Sequence, residues 1–367
     1  GSELVAVDAA KGISLNVKGT NATGIIALAG GGTIEDADSS FLTLQGNYAH
    51  NEGVNNTYAI VDASEKVKEQ DSDKAKRSKI TNANKVEVAT DDHSKEVAIA
   101  GAATGSSGTK FMVGGAIATN TTEVKAADGE GTTAAQQHNI AALNNTDITV
   151  VTQTAADKIS KISTTAKDDS SKFAMAIGAS ISKNEGTYIS ADGDVANNNL
   201  YITTRAEMLN SNIVDRALTT EEQAQQAQLT EDEKKNQPKQ YSAQVELKAD
   251  SDATLVTTAD TIAFNKGNAV LGMGIANNNS HLDTEAVLQG ETVQKQEGTV
   301  YENGKIQAES LTVSAMSKNR VTNVGIGIVG GLTSNTAFTF TGAGNVSVND
   351  ITNNTKAIVN SAEIYTA

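Results

Sequence analysis

Gly325-Ile326-Gly327-Ile328-Val329-Gly330, with Asp350 placed 20 residues beyond its last glycine, spells the pattern that cradles a dinucleotide pyrophosphate. That chemistry needs a strand before the glycines and a helix after them, because the helix N-terminus holds the phosphates. Leu332–Phe340 instead continues in apolar alternation, as a strand does, and similar glycine stretches recur elsewhere without the pattern. Gly105-Ser106-Ser107-Gly108-Thr109-Lys110 has the residue types of a phosphate loop, but Lys and Thr stand in the wrong order and the first Gly is misplaced. His50, His93, His138 and His281 are scattered, with no metal-ligand spacing to bring two of them to one site. Asp192, Asp194 and Asn197 gather around Gly193, and Asp36 with Asp38 follows a glycine triplet. Calcium favours oxygen-rich turns of this kind, yet neither cluster follows the EF-hand loop or the calcium-binding nonapeptide, and ordinary acidic turns are the simpler reading. Thr203, Thr204, Thr257 and Thr258 are candidates for a threonine ladder of the ice-binding sort, which their uneven spacing argues against. Carboxylates converging in an aromatic groove would suit polysaccharide cleavage. Seven Tyr and six Phe are spread along the chain and Trp is absent, so such a groove is hard to place. No catalytic, cofactor-binding or metal-ligating residue is assigned, and no cofactor is expected.

Composition narrows the classes further. Only 4% of the 367 residues are aromatic, and the chain is rich in Ala, Gly, Thr, Asn and Ser. A large globular core draws on Phe, Leu and Trp for buried area; a narrow core one strand wide can be filled by Val, Ile, Ala and Thr. Disorder is opposed by strict alternation of β-branched residues and by a single proline, Pro238. The formal charge of −15 repels phosphate backbones, and no basic patch interleaves with aromatics, so nucleic acid is an unfavourable partner. Zero cysteines remove disulfides and thiolate chemistry, which suits a long exported chain. No stretch approaches the ~20 apolar residues of a membrane-spanning helix.

The elements that would position any site repeat. Small polar residues, usually with Asn, precede four residues alternating apolar with polar in Asn84–Thr90, Asn145–Thr152, Asn198–Thr204 and Glu309–Ala315, with Gly12–Val17 as a first copy. Their anchors are Ile13, Val86, Ile148, Leu200 and Leu311, and Ala253–Thr258 is a degraded copy. A strand-period phrase repeated without separate domains is the signature of a solenoid. The spacings suggest units of about three coils, each of roughly 20 residues.

A second element is glycine-rich and apolar: Gly24–Gly32, Lys110–Ile117, Lys172–Ala179, Ala269–Ile275 and Val324–Gly331. Glycine weakens a strand and is kept where another backbone comes close, so this element is expected to face another sheet at short range. Asn120, Asn184, Asn277 and Asn335 follow it and are read as stacked corner residues. Thr122–Ala126, Thr187–Ala191 and Asp283–Val287 supply a third strand. Three strands per unit predict an all-β, right-handed parallel β-helix (β-solenoid). Inserts at 63–82, 126–145 and 219–241 interrupt it; in the last, Thr220-Glu221-Glu222-Gln223 caps a short helix before Pro238. The whole of 1–367 is read as one continuous solenoid segment of a longer protein, because Gly1-Ser2 looks like an added leader and 357–367 breaks off inside a strand-like run.

The glycine strand with its Asn-rich turn, together with Asn345–Ile351 and Lys356–Ser361, resembles the repeats of very large exported filamentous adhesins. The resemblance is to leukotoxin-type and filamentous-haemagglutinin-type passengers of Gram-negative bacteria. It covers nearly the whole chain apart from the inserts, and the unit length here is more variable than in the regular filamentous repeats. The resemblance implies a β-helical stalk displayed at the bacterial cell surface after secretion through an outer-membrane partner. It also implies attachment to a host or bacterial surface receptor, or host-cell toxicity, and supplies no functional residues. The expectation is a non-enzymatic adhesin segment, a rod of roughly 15 coils and on the order of 70 Å long, with binding placed at the three inserts. A structural spacer and a polysaccharide-processing β-helix enzyme remain the alternatives.

Overall fold

The computed structural model describes residues 3–5, 12–35, 40–63, 77–125, 132–134, 137–150, 160–183, 187–215, 224, 227–230, 241–295, 298–331 and 340–366. The chain is a parallel β-solenoid whose strands are far longer than the repeated phrases. After β1 (Glu3–Val5), the first rung is β2 (Ile13–Glu35), β3 (Leu42–Glu52) and β4 (Thr57–Val61). The second is β5 (Ser78–Ser106), β6 (Phe111–Thr121), β9 (Gln137–Leu143) and β10 (Thr146–Val150), interrupted by a small hairpin of β7 (Glu123–Lys125) and β8 (Thr132–Ala134). The third is β11 (Ser160–Ser182), β12 (Ile189–Leu209) and β13 (Asn212–Asp215). The fourth is β14 (Ala243–Asn265), β15 (Ala269–Gln289) and β18 (Lys305–Ala308), with a second hairpin, β16 (Glu291–Lys295) and β17 (Gly298–Asn303). The fifth is β19 (Ser310–Gly331), β20 (Phe340–Asn360) and β21 (Glu363–Thr366).

Rungs stack in parallel and nearly without slippage. Face A is the ladder β2-β5-β11-β14-β19, and face B the ladder β3-β6-β12-β15-β20 with β4 and β9 paired into it. A short third face joins β1, the first residues of β5, β10, β13, β18 and β21. Left-handed residues turn the corners into and out of the third face: Gly12, Asn82, Asn145, Asn210, Gly304 and Ser361 all have positive φ. Asparagine and glycine dominate there because they reach that conformation at least cost.

Alternate side chains point inward, so a strict period of two along each strand makes columns across the rungs. Many of the large inward residues lie where three faces meet: Val86, Ile162, Ile148, Ile213, Met208 and Leu288 share that core, with Leu311 packed against it. Leu200, Ile202, Leu255 and Leu282 form a second apolar cluster between faces A and B. Farther along, faces A and B approach closely and the core shrinks to alanine: Ala98, Ala100, Ala116, Ala118, Ala174, Ala176, Ala196 and Ala259. Some glycines sit where even a methyl would collide; a Cβ on Gly274 would lie 2.8 Å from the Ala259 carbonyl oxygen, whereas Gly24 and Gly30 have open space there. The expected short-range role of the glycine stretches is therefore present, shared between face A (24–32, 172–179, 324–331) and face B (110–117, 269–275).

Several expectations are corrected. Cross-rung partners lie 58 to 93 residues apart, so one rung is a whole unit and not a third of one. Five rungs of ~4.8 Å make the stack only about 24 Å tall, while a 22-residue strand spans about 73 Å at ~3.3 Å per residue. The anchors are not equivalent positions: Val86 and Leu311 lie on face A, Ile148 on the third face and Leu200 inside face B. Glu123–Lys125 belongs to an antiparallel hairpin with Thr132–Ala134, while Ile189–Ala191 opens β12 and Asp283–Val287 lies within β15. Insert boundaries also shift. Ser78–Thr81 is third-face strand and Gln137–Leu143 is face B, so both belong to the solenoid. In the insert at 219–241, Ala224 and Ala227 are helical and most of the remainder lies outside the described residues. The hairpin of β16 and β17 is an excursion that the sequence reading missed.

Candidate interaction surfaces and polar interior

The interior carries polar columns as well as apolar ones. Asn51, Asn120, Asn198, Asn278 and Asn349 occupy one inward position of face B in five successive rungs. Each Nδ2 donates to the Oδ1 of the next, at 2.9, 2.8, 3.1 and 3.3 Å. Their second donors cross the narrow core to carbonyls of face A, as from Asn120 to Phe173 at 2.8 Å and from Asn198 to Val256 at 2.9 Å. The ladder ties rung to rung and face to face at once. It runs mid-strand, not at corners: of the four asparagines singled out by sequence only Asn120 belongs to it. Asn277 lies one position away and bonds Asn197 on the outer surface, and Asn184 and Asn335 lie outside the described residues.

Buried charge adjoins the ladder. Glu96 and Lys172, on adjacent rungs of face A, form an ion pair of 2.7 Å with both side chains 2% exposed. Desolvation pushes the Glu96 carboxyl up and the Lys172 amine down, with the partner's charge and hydrogen bond resisting both shifts. Asp92 and Asp168 stack in the same way, each raised by burial, Asp168 strongly so and further by the charge of Asp92. Ser170 donates to Asp168 at 2.9 Å.

Asp192 and Asp194 lie two residues apart on β12, both facing inward and buried. Asp192 fits a notch made by missing side chains, since a Cβ on Gly178 would lie 2.3 Å from its Oδ2 and one on Gly114 2.8 Å from its Oδ1. Burial raises Asp192 to about 6; the N–H groups of Ile262 and Gly193 pull the other way, though neither closes a hydrogen bond of normal geometry on the carboxyl. Burial, then the charge of Asp192, raises Asp194 to about 7, although Ala116 N–H donates to it at 2.8 Å. No turn surrounds them, so the acidic-turn reading is replaced by a buried acid pair in mid-strand. Among the described residues no three acidic or histidine side chains gather as a metal site.

The other chemical candidates separate. Gly325–Gly331 is β-strand throughout, and its glycines admit Asn345 from face B, whose Cβ would approach a Cβ on Gly325 to 3.1 Å. Asp350 is exposed within β20, and Leu332–Asn335 and the residues up to 339 lie outside the described residues. In the turn after Gly105, the N–H groups of Gly108 and Thr109 already bond Ser106 Oγ at 3.1 and 2.8 Å, leaving no phosphate cradle. His50 bonds Thr119 and stacks on Tyr48, His93 lies between Asp91 and Asp169, and His281 meets Asp283. His138 opens a separate stretch of β9. Thr204 and Thr257 point inward while Thr203 and Thr258 point outward, so they form no array; Asp36 and Asp38 lie outside the described residues.

The outer surface divides sharply. In the first half of face A, outward positions carry Lys85, Glu87, Asp91, His93 and Lys95 on one rung and Lys161, Lys167 and Asp169 on the next. Lys18–Glu87 at 3.1 Å ties the first rung to the second, and Lys167–Asp91 at 3.4 Å ties the third to the second. In the second half the outward residues turn apolar: Val97 and Ile99, then Phe173, Met175 and Ile177, then Val256 and Ile262. Asp260 is the one charged side chain pointing outward there among the described residues, and burial raises its carboxyl. Face B mirrors this across the turn, where Phe111, Val113, Ile117, Ile189, Val195 and Leu271 point outward with no charge between them. Gly46, Gly115 and Gly193 floor a groove there, walled by Leu44, Val113, Tyr48 and Ile117. One end of the slab is thus apolar on both outer faces. Sequence reasoning registered 110–117, 172–179 and 269–275 as glycine strands, passed over Val97–Gly105 and Val256–Ile262, and missed that the outward positions are apolar; the signal was the absence of charge over Val97–Gly105 and Phe111–Ile117. Comparison with protein families, curated proteins and solved structures finds no match to this chain.

Proposed function

We propose that this chain is a non-enzymatic, rigid β-solenoid segment of a bacterial cell-surface adhesin, exported with the help of an outer-membrane partner and attaching to a host or bacterial surface receptor. The observation that supports it most is the paired apolar belt: two stiff stretches of outer face that carry one charged side chain, Asp260, among the described residues, on a ladder that holds their side chains at fixed spacing. Contiguous exposed apolar surface of this extent marks an interaction site. Repetition over the rungs multiplies weak contacts into avidity. The belt replaces the inserts as the contact surface, because the inserts are partly absorbed into the solenoid whereas the belt recurs in every rung.

The test is cell attachment by the purified chain immobilised on beads. Ile117→Lys with Val195→Lys should reduce attachment at least tenfold while circular dichroism stays β-rich. Loss of 219–230 should leave attachment intact. Attachment indifferent to the belt variant, or absent from the unaltered chain, would favour a spacer and overturn this reading.

A further inference from the structure

Face B carries four adjacent outward columns without charge, led by Leu42, Leu44, Gly46 and Tyr48 on the first rung. Across all five rungs Tyr48 is their one hydrogen-bonding side chain. The third column is a trench of Gly46, Gly115, Gly193 and Gly344, filled only by Met273 on the fourth rung. Ridges flank it: Leu44, Val113, Ala191 and Leu271 on one side, and Tyr48, Ile117, Val195, Ile275 and Val346 on the other. Leu44 is 62% exposed and Tyr48 59%, so the ridges stand clear of the sheet. Face A lacks this relief, because its glycine column stops at Gly30 and Gly101 and is followed by Ile177 and Asp260.

We infer that face B packs on face B of a second copy of this chain, with the Leu44 column of each copy seated in the glycine trench of the other. The contact is isologous, about a two-fold axis parallel to the ladder and midway between those two columns. The same axis lays the Leu42 column over the other copy's Tyr48 column, so all four apolar columns are covered and none meets a polar one. Four columns at ~6.6 Å and five rungs at ~4.8 Å make a patch of about 26 by 24 Å, or about 1,250 Å² over two copies, which reaches the size of specific interfaces.

Ridge and trench share one spacing because the same strand period sets both, and this chain's own face matches it by construction. A glycan would find no donor or acceptor among these side chains beyond one hydroxyl. A bilayer entered from this margin would first take in Lys110, Lys183 and Lys266, which stand in the turns from face A to face B. In a chain of formal charge −15, an uncharged face is where two copies approach at least electrostatic cost, so association should strengthen with salt. The inference rests on the belt as the attachment surface and names its partner as another copy on a neighbouring rod.

Sedimentation velocity over rising concentration should show a monomer–dimer equilibrium. A Cβ on Gly46 meets nothing within 4 Å and one on Gly193 nothing nearer than 4.0 Å, so Gly46→Leu with Gly193→Leu is accommodated within the chain. That variant adds apolar surface but fills the trench. It should weaken dimerisation at least tenfold, whereas unspecific stickiness would grow. A single spin label at Thr119→Cys, in a chain with no native cysteine, should read about 35 Å between copies, from ten residues at ~3.3 Å along the strand and ~10 Å between packed sheets. A monomer at every concentration, a dimer unweakened by the filled trench, or a label distance far from this value overturns the inference. Should the filled-trench chain melt lower, the label distance alone decides. A monomeric chain that still attaches to cells would sink this inference and leave the adhesin reading standing; dimers without attachment would do the reverse.

Discussion

Lys172 lies directly over Glu96 at 2.7 Å in an otherwise apolar column. The other rungs fill that column with Ile25, Leu255 and Val321. A buried pair whose column neighbours are all apolar sets desolvation against attraction, and removing one partner strands the other's charge. Lys172→Met should cost about 3–5 kcal/mol. The double variant Glu96→Ile with Lys172→Leu should return stability to that of the unaltered chain or above it, as measured by urea unfolding.

The buried acids reverse the usual acid sensitivity. Asp192 and Asp194 are raised to about 6 and about 7, above their unfolded values, so the fold favours their protonated forms. The folded state then binds more protons between about pH 4 and 7, and stability falls as pH rises through that window. The melting temperature should be higher at pH 4.5 than at pH 7.5. Asp192→Asn with Asp194→Asn should flatten the difference to what the other raised carboxyls, Asp92, Glu96, Asp168, Asp215 and Asp260, still contribute.

Gly178 and Asp192 are complementary in shape. Gly178→Ala drives a methyl into the carboxyl, which the strands on either side prevent from swinging away, and overpacking of this kind costs about 1–3 kcal/mol. Asp192→Ala in the same chain should recover most of that loss in thermal melts. A Gly178→Ala chain as stable as the unaltered one would show that the notch is roomier than described.

Asn198 both donates and accepts within the ladder. Asn198→Leu removes its bonds and leaves the Asn120 donor and the Asn278 acceptor facing an alkyl group, each worth about 1–3 kcal/mol when buried unpaired. Hydrogen exchange should quicken on the rungs either side, near Asn120 and Asn278, before it changes at the three-faced core around Ile148.

Much of the architecture was legible in the sequence: period-two alternation, glycines at close approaches and the scarcity of aromatics all point to a stacked β-solenoid. Rung length was not. The recurring phrase appears on all three faces, so the spacing from Val86 to Ile148 measures the distance between two faces of one rung, and that from Ile148 to Leu200 the distance between different faces of neighbouring rungs. The better ruler was Asn197-Asn198-Asn199 against Asn277-Asn278-Asn279, identical triplets separated by 80 residues, which is one whole rung. The polar columns were illegible for another reason. Asp168, Lys172 and Asp192 look like surface residues one at a time, and only the register fixes which face they point to.

Long rungs and short coils differ most in the distance across one rung. Spin labels at Lys85→Cys and Ala103→Cys sit on outward, exposed positions of the same strand, β5. At ~3.3 Å per residue the labels should lie about 60 Å apart by double electron–electron resonance. A solenoid of short coils would fold that stretch back on itself, and a distance near 20 Å would contradict the structure described here.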